Sequence, residues 1–179
     1  AKLEPIEGLE DLLIYAGCSI RISGKQGIRM ITGITQDNKK ALTSKAGLAG
    51  YTLEEYGTVV MRGVGTPTLE NSQKHNFAYK KGKADPIFRK ADGMIQYTNV
   101  LVGFSLDACK DTLTLRPYII LKDTATGETV TLYGGCVCRS IYQVAQQNEN
   151  TYRPGTAGYK YIHEILNYTP TAEQGGETK

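Results

Sequence analysis

The four cysteines, Cys18, Cys109, Cys136 and Cys138, are the residues best equipped for chemistry in this 179-residue chain, and their spacing leaves three fates. A metal site would take Cys136 and Cys138 with Cys18 or Cys109. Cys-x-Cys is not the usual structural zinc spacing, however, and no histidine lies near it. A disulfide framework suits a secreted chain; its best pairing would join Cys18 to Cys136 or Cys138, if their strands are neighbours. The third fate is a buried free thiol. Cys18, Cys136 and Cys138 each fall on the apolar side of an alternating segment, and a free cysteine packs like a small hydrophobe. Free thiols are therefore the expectation, with the other two fates left open.

The remaining candidates for catalysis are thin. His75 and His163, the two histidines, sit in polar company with no local signature of a nucleophile and its base. Gly63-Val64-Gly65 lacks the Lys-Ser/Thr and the helix start of a phosphate loop. Glu10-Asp11 and Glu54-Glu55 are adjacent acids whose side chains diverge, and a glycosidase needs two facing each other. The segment from Lys74 to Lys90 is more suggestive. It sets Lys74, Lys80, Lys81, Lys83, Arg89 and Lys90 against Asp85, with Phe77, Tyr79 and Phe88 interleaved. Basic groups between aromatic rings can grip an anionic polymer by charge and by stacking. A solvated loop has the same composition.

Elements that would position these residues can be read from period. Leu9, Leu12, Leu13 and Ala16 recur at helical spacing and predict a helix over Glu7–Tyr15. After Gly17 the period becomes two. Cys18–Ser23 and Ile28–Thr32 read as a hairpin across Gly24-Lys25-Gln26-Gly27. A short helix is predicted over Asp37–Leu42 and a strand over Tyr51–Met61. From Arg62 to about Gly93 glycines, prolines and lysines dissolve the pattern. Strands return over Tyr97–Leu106, Leu113–Leu121 and Glu128–Cys138. Pro117 marks the second of these as an edge or a bulge, because proline cannot donate to a ladder. Gly134-Gly135 marks a bulge in the third. Ser140 with Gln143 has capping-box spacing before a helix carrying Ile141, Val144 and Ala145. A last helix would bury Tyr159, Ile162, Ile165 and Leu166.

The chain is long enough to bury a core without staples. A net charge of +3 is too small to imply nucleic acid, and no apolar run has the length of a membrane span. The opening at Ala1, already amphipathic, is as expected of a mature chain whose signal peptide has been removed. Twelve tyrosines with no tryptophan suit wet β surfaces that contact sugar or protein. The pattern predicts a mostly β fold, a β-sandwich or curved antiparallel sheet with about three peripheral helices. One globular domain over residues 1–168 is expected, with a polar tail over 169–179.

Several segments carry a resemblance. Gly27-Ile28-Arg29-Met30, the run Gly50–Val60 with its Glu55-Tyr56-Gly57-Thr58, Leu115-Arg116-Pro117-Tyr118-Ile119 and Arg139–Ala145 occur in this order. Together they resemble an uncharacterised β-rich module of large secreted and cell-surface proteins of Clostridia-like Gram-positive gut bacteria, covering about residues 18–145. Met30 departs from the Phe usual there, and the four cysteines are a second departure. The resemblance implies an extracellular, cell-surface or wall-associated location, further domains in a larger parent chain, and a non-catalytic part. It implies no catalytic residues. Arg29, Glu55, Gly57, Arg116 and Ser140 are read as structural. Arg29 and Glu55 are expected to pair across a sheet, and Gly27 and Gly57 to need positive φ.

These readings converge on an extracellular interaction module that binds glycan or a host or wall protein. Its contacts would be Tyr79, Lys80, Lys81 and Phe88. No enzyme activity, cofactor, metal, nucleic acid or membrane insertion is expected. A pure spacer domain is one alternative, and a glycoside hydrolase with an unrecognised carboxylate pair is another.

Overall fold

Residues 6–169 are described by the computed structural model, and most alternating segments fold as strands. In chain order the elements are β1 (Ile14–Arg21), β2 (Gly27–Thr35), α1 (Gln36–Leu42), β3 (Tyr51–Arg62), β4 (Gln73–Lys80), β5 (Arg89–Ala91) and β6 (Met94–Val102). After a 3-10 turn at Leu106–Lys110 come β7 (Leu113–Asp123), β8 (Thr129–Tyr133), β9 (Val137–Arg139), α2 (Ile141–Gln147) and α3 (Ala157–Asn167). Two antiparallel sheets result. The first has the order β1-β2-β6-β5; the second has β4-β3-β7-β8, with β9 also paired to β7. The fold is mostly β and sandwich-like, with three helices.

Side-chain alternation decides which face each strand buries. In the first sheet Ile28 opposes Leu101, Met30 opposes Asn99, Thr32 opposes Tyr97, and Ile34 opposes Ile95, all of them buried. In the second, Tyr56 opposes Ile119 and Val60 opposes Leu115. The inner faces meet through an edge-on pair of rings, Tyr56 and Tyr97, with centroids 5.3 Å apart. Beside them the Thr58 hydroxyl donates to Asn99 Oδ1 at 2.8 Å. Apolar clusters lie at either end. One contains Leu9, Leu12, Ile34, Leu42, Leu53 and Leu121. The other contains Ile20, Met30, Leu115 and, from the helices, Ile141, Val144, Ile162 and Ile165. The capping box starts α2 as its spacing predicts: the Ser140 hydroxyl accepts from Gln143 N, and Gln143 accepts from Ser140 N.

Several expectations fail. No helix forms over Glu7–Tyr15. Gly8 and Asp11 take φ of 85° and 53°, which breaks a helix, and Leu9 and Leu12 are the buried anchors of an irregular segment leading into β1. The stretch from Arg62 to Gly93 holds β4 and β5. β7 is not an edge, since β3 flanks it on one side and β8 and β9 on the other. Pro117 is tolerated because the partner strand breaks opposite it, between β8 and β9. Pro117 O accepts from Gly134 N at 2.9 Å, so its nitrogen faces the same gap. The predicted strand Glu128–Cys138 is therefore two short ones. The predicted tail falls, apart from exposed Thr169, outside the described residues.

Gly27 and Gly57 have no positive φ; they are glycines because of crowding. A β-carbon on Gly27 would stand 1.8 Å from Leu101 O, and one on Gly57 would stand 2.7 Å from the Tyr118 hydroxyl. The Arg29–Glu55 pair also fails, because β2 and β3 belong to different sheets. Glu55, 6% exposed, accepts from the Tyr118 hydroxyl at 2.7 Å and lies 3.7 Å from Lys80 Nζ. Arg116 does have a structural role. Its guanidinium donates to Gly134 O at 2.9 Å and Pro67 O at 3.2 Å, and lies 4.5 Å from the Tyr133 ring centroid.

Candidate functional site

The two sheets differ on their outer faces. On the second sheet Tyr118, opposite Gly57, lays its ring over the space the glycine leaves, and Tyr118 and Val59 are fully buried. This face is consumed by the structure. On the first sheet the inward residues Ile20, Ile28, Met30, Ile95 and Tyr97 send their neighbours Arg21, Arg29 and Gln96 outward. Arg89 on β5 lies opposite Gln96 and donates its Nε to that side chain. Beside it Phe88 is fixed through its backbone N–H, which donates to Gln96 O at 2.9 Å. The Phe88 ring stays 40% exposed. Its centroid lies 5.5 Å from the Arg29 guanidinium carbon and 5.7 Å from that of Arg89.

The four residues predicted to contact ligand are thereby separated into different roles. Tyr79 on β4 is half-buried over Lys39, whose Nζ lies 5.5 Å from its ring centroid and 5.4 Å from that of Tyr97. Lys39 is itself buried on α1 and forms an ion pair with Asp85. Burial and then the Asp85 carboxylate push the Tyr79 and Tyr97 phenols up. Lys80 lies against Glu55 and 5.5 Å from the Phe77 centroid, and Lys81 is 3.5 Å from Glu54. Only Phe88 stands with cations, half-buried Arg29 and exposed Arg89, that make no ion pair among the described residues. Its partner Arg29 was read from sequence as structural. The signal that could have found the site is the absence of any Asp or Glu from β1, β2, β5 and β6, which is visible once those strands are grouped.

All four cysteines are free. Cys109 is buried, Cys18 and Cys138 are partly so, and Cys136 is exposed in the β8–β9 gap rather than packed on a strand face. Burial pushes the Cys18 and Cys109 thiols up, which keeps them protonated and poorly nucleophilic. Tyr15, donating to Cys18 Sγ at 3.4 Å, is pushed up to about 12, first by burial and then by that thiol. Among the described residues no three His, Cys, Asp or Glu side chains converge as metal ligands. Among the same residues no helix is long and apolar enough to cross a membrane. The acids raised for glycoside chemistry are engaged locally: Glu54 with Lys81, Glu55 with Tyr118 and Lys80, and Glu10 Oε2 with Gly8 N at 3.0 Å. His163 stacks on Tyr159 along α3, with centroids 3.9 Å apart.

No protein-family model matches the chain, and no curated relative or solved structure resembles it at a significant level. The chemistry of the outer face of the first sheet therefore stands on its own geometry.

Proposed function

We propose that the chain is a non-catalytic interaction module of an extracellular bacterial surface protein, and that it binds glycan or a protein of the host or cell wall. The observation that carries this reading is Phe88, part-exposed on a paired strand edge and bracketed by Arg29 and Arg89. A ring and two guanidiniums held by a sheet are pre-organised, so little side-chain entropy is lost when a partner docks. The surface location is supported by the ordered resemblance of the Gly27–Met30, Gly50–Val60, Leu115–Ile119 and Arg139–Ala145 segments to secreted Gram-positive modules.

The test is binding of the purified domain to arrayed mucin glycans, plant polysaccharides, peptidoglycan and wall proteins, with Phe88→Ala and a Lys80→Ala/Lys81→Ala double variant beside it. Selective binding lost in Phe88→Ala and kept in the lysine variant supports the module and places its contacts on the first sheet. Silence across the array would sink the reading in favour of a spacer domain.

A further inference from the structure

The strands of the first sheet contain Arg21, Arg29, Arg89 and Lys90 and no acidic residue. Arg21, Arg29 and Arg89 project outward by alternation, and Lys90 is exposed at the sheet's edge strand. Lys25 extends the same charge from the exposed β1–β2 turn; the acids nearest these strands in sequence, Asp11, Asp37 and Asp92, lie just beyond their ends. None of these cations enters an ion pair among the described residues, whereas Lys39, Lys80, Lys81 and Lys160 all do. A whole-chain charge of only +3 thus conceals a segregated positive face.

We propose that this face binds an acidic polysaccharide, a chain of sugars bearing sulfate or carboxylate; the proposal rests on the interaction-module reading and deepens it. Arg21 sits opposite Gly27, while Arg89 sits opposite Gln96, which in turn opposes Gly33. Six residues along the strands and three strand spacings across them separate the two positions, a diagonal of about 25 Å. That length exceeds a single sugar and suits several units of a stiff chain. Guanidinium forks match carboxylate and sulfate oxygens in pairs, which ammonium groups do not. Phe88 is a positioning residue: its ring holds both guanidiniums at 5.5 and 5.7 Å and shields their inner sides from water. Nucleic acid fits less well, because successive bases need open stacking platforms and this ring is already occupied by two cations.

The experiment measures retention of the full chain on dextran sulfate, polygalacturonate, uncharged dextran, polyglutamate and single-stranded poly-dT, over a salt gradient. The expected result is binding to the first two that weakens as salt rises, with none to dextran and less to polyglutamate and poly-dT. Arg29→Gln/Arg89→Gln should bind about tenfold more weakly, and Phe88→Ala should lose affinity although it removes no charge. Lys160→Gln, which removes a cation on α3, should bind as the parent does. Thermal melting of each variant separates loss of binding from loss of fold. Equal loss in Lys160→Gln and the arginine variant would overturn the proposal as mere ion exchange. Tighter binding to poly-dT or polyglutamate would overturn it in favour of those polymers. Array binding to a neutral glycan, lost in Phe88→Ala, would overturn it while leaving the interaction module standing.

Discussion

At Gly57 a β-carbon would meet the Tyr118 ring at 2.9 Å and its hydroxyl at 2.7 Å, and that ring cannot retreat because it is fully buried and bonded to Glu55. Gly57→Ala should therefore destabilise the protein by about 1–3 kcal/mol, the usual cost of overpacking. Urea unfolding checks this, and an unchanged midpoint would show that the ring can move. The residue was legible as structural but its reason was not: glycine suggests positive φ, whereas here it makes room for a neighbour 61 positions along the chain. The thiols make a second case. Alternation placed Cys18 on an inner face correctly, but it placed Cys136 on a strand that breaks before reaching it. Iodoacetamide at about pH 8 should modify Cys136 first and Cys109 slowest, since burial raises the Cys109 thiol and removes its access. Peptide mass mapping over time reads the order directly, and early labelling of Cys109 would contradict its burial.

Elements were readable where local chemistry is self-sufficient. The capping box at Ser140 needs only two side chains three residues apart, so spacing alone located the start of α2. Ser140→Ala should cost about 1 kcal/mol, and it should speed amide exchange in α2. The same substitution should leave α3 exchange nearly unchanged, because Thr156 caps α3 independently by accepting from Tyr159 N at 3.2 Å. Uniform exchange across both helices would show instead that they unfold as one unit. Elsewhere local signals misled. Leu9 and Leu12 sit at helical spacing, yet a helix of nine residues is marginal on its own, and both are buried without one. β4 escaped notice because Gln73–Lys80 has no β-branched residue and only Ala78 is buried among its described side chains. Its polar, lysine-bearing sequence is what an exposed edge requires to avoid pairing with other chains. The aromatic-basic pattern that drew attention to this region was real, but pairing with Glu55 and Glu54 absorbed Lys80 and Lys81, two of its five lysines. Those acids lie on β3, and the proximity came from β3–β4 pairing that no local window contains.

The whole molecule carries its composition into its core, because three of the tyrosines expected on wet faces are buried. Tyr56 and Tyr118 are 0% exposed and Tyr97 is 1% exposed. Sequence alone made the sandwich legible through its periods of two, but not the pairing of β2 with β6 or of β3 with β7, which sets Tyr97 and Tyr56 on facing strands and Tyr118 over Gly57. Burial raises all three phenols above their ordinary value of 10.0, with Asp85 adding to the effect at Tyr97 and Glu55 at Tyr118. Below about pH 10 both folded and unfolded chains keep these protons, so the tyrosines make stability no more pH-dependent there. Above it the unfolded chain releases protons that the folded chain retains, and folding free energy falls by about 1.4 kcal/mol per pH unit for each tyrosine. These three groups alone remove about 4 kcal/mol per unit, set against a total near 5–15 kcal/mol, and Tyr15, Tyr79 and Tyr161, also raised by burial, add to the slope. The urea midpoint should therefore begin to slip above about pH 8.5, where the unfolded Cys18 and Cys109 thiols ionise and the buried ones do not, and collapse between about 10 and 12. Tyr56→Phe should make that fall shallower by about 1.4 kcal/mol per pH unit, whatever it does to stability at neutral pH. A midpoint that holds through about pH 12 would mean the three phenols reach solvent, and with it that the two sheets do not close over Tyr56 and Tyr97, nor the outer face over Tyr118, as described.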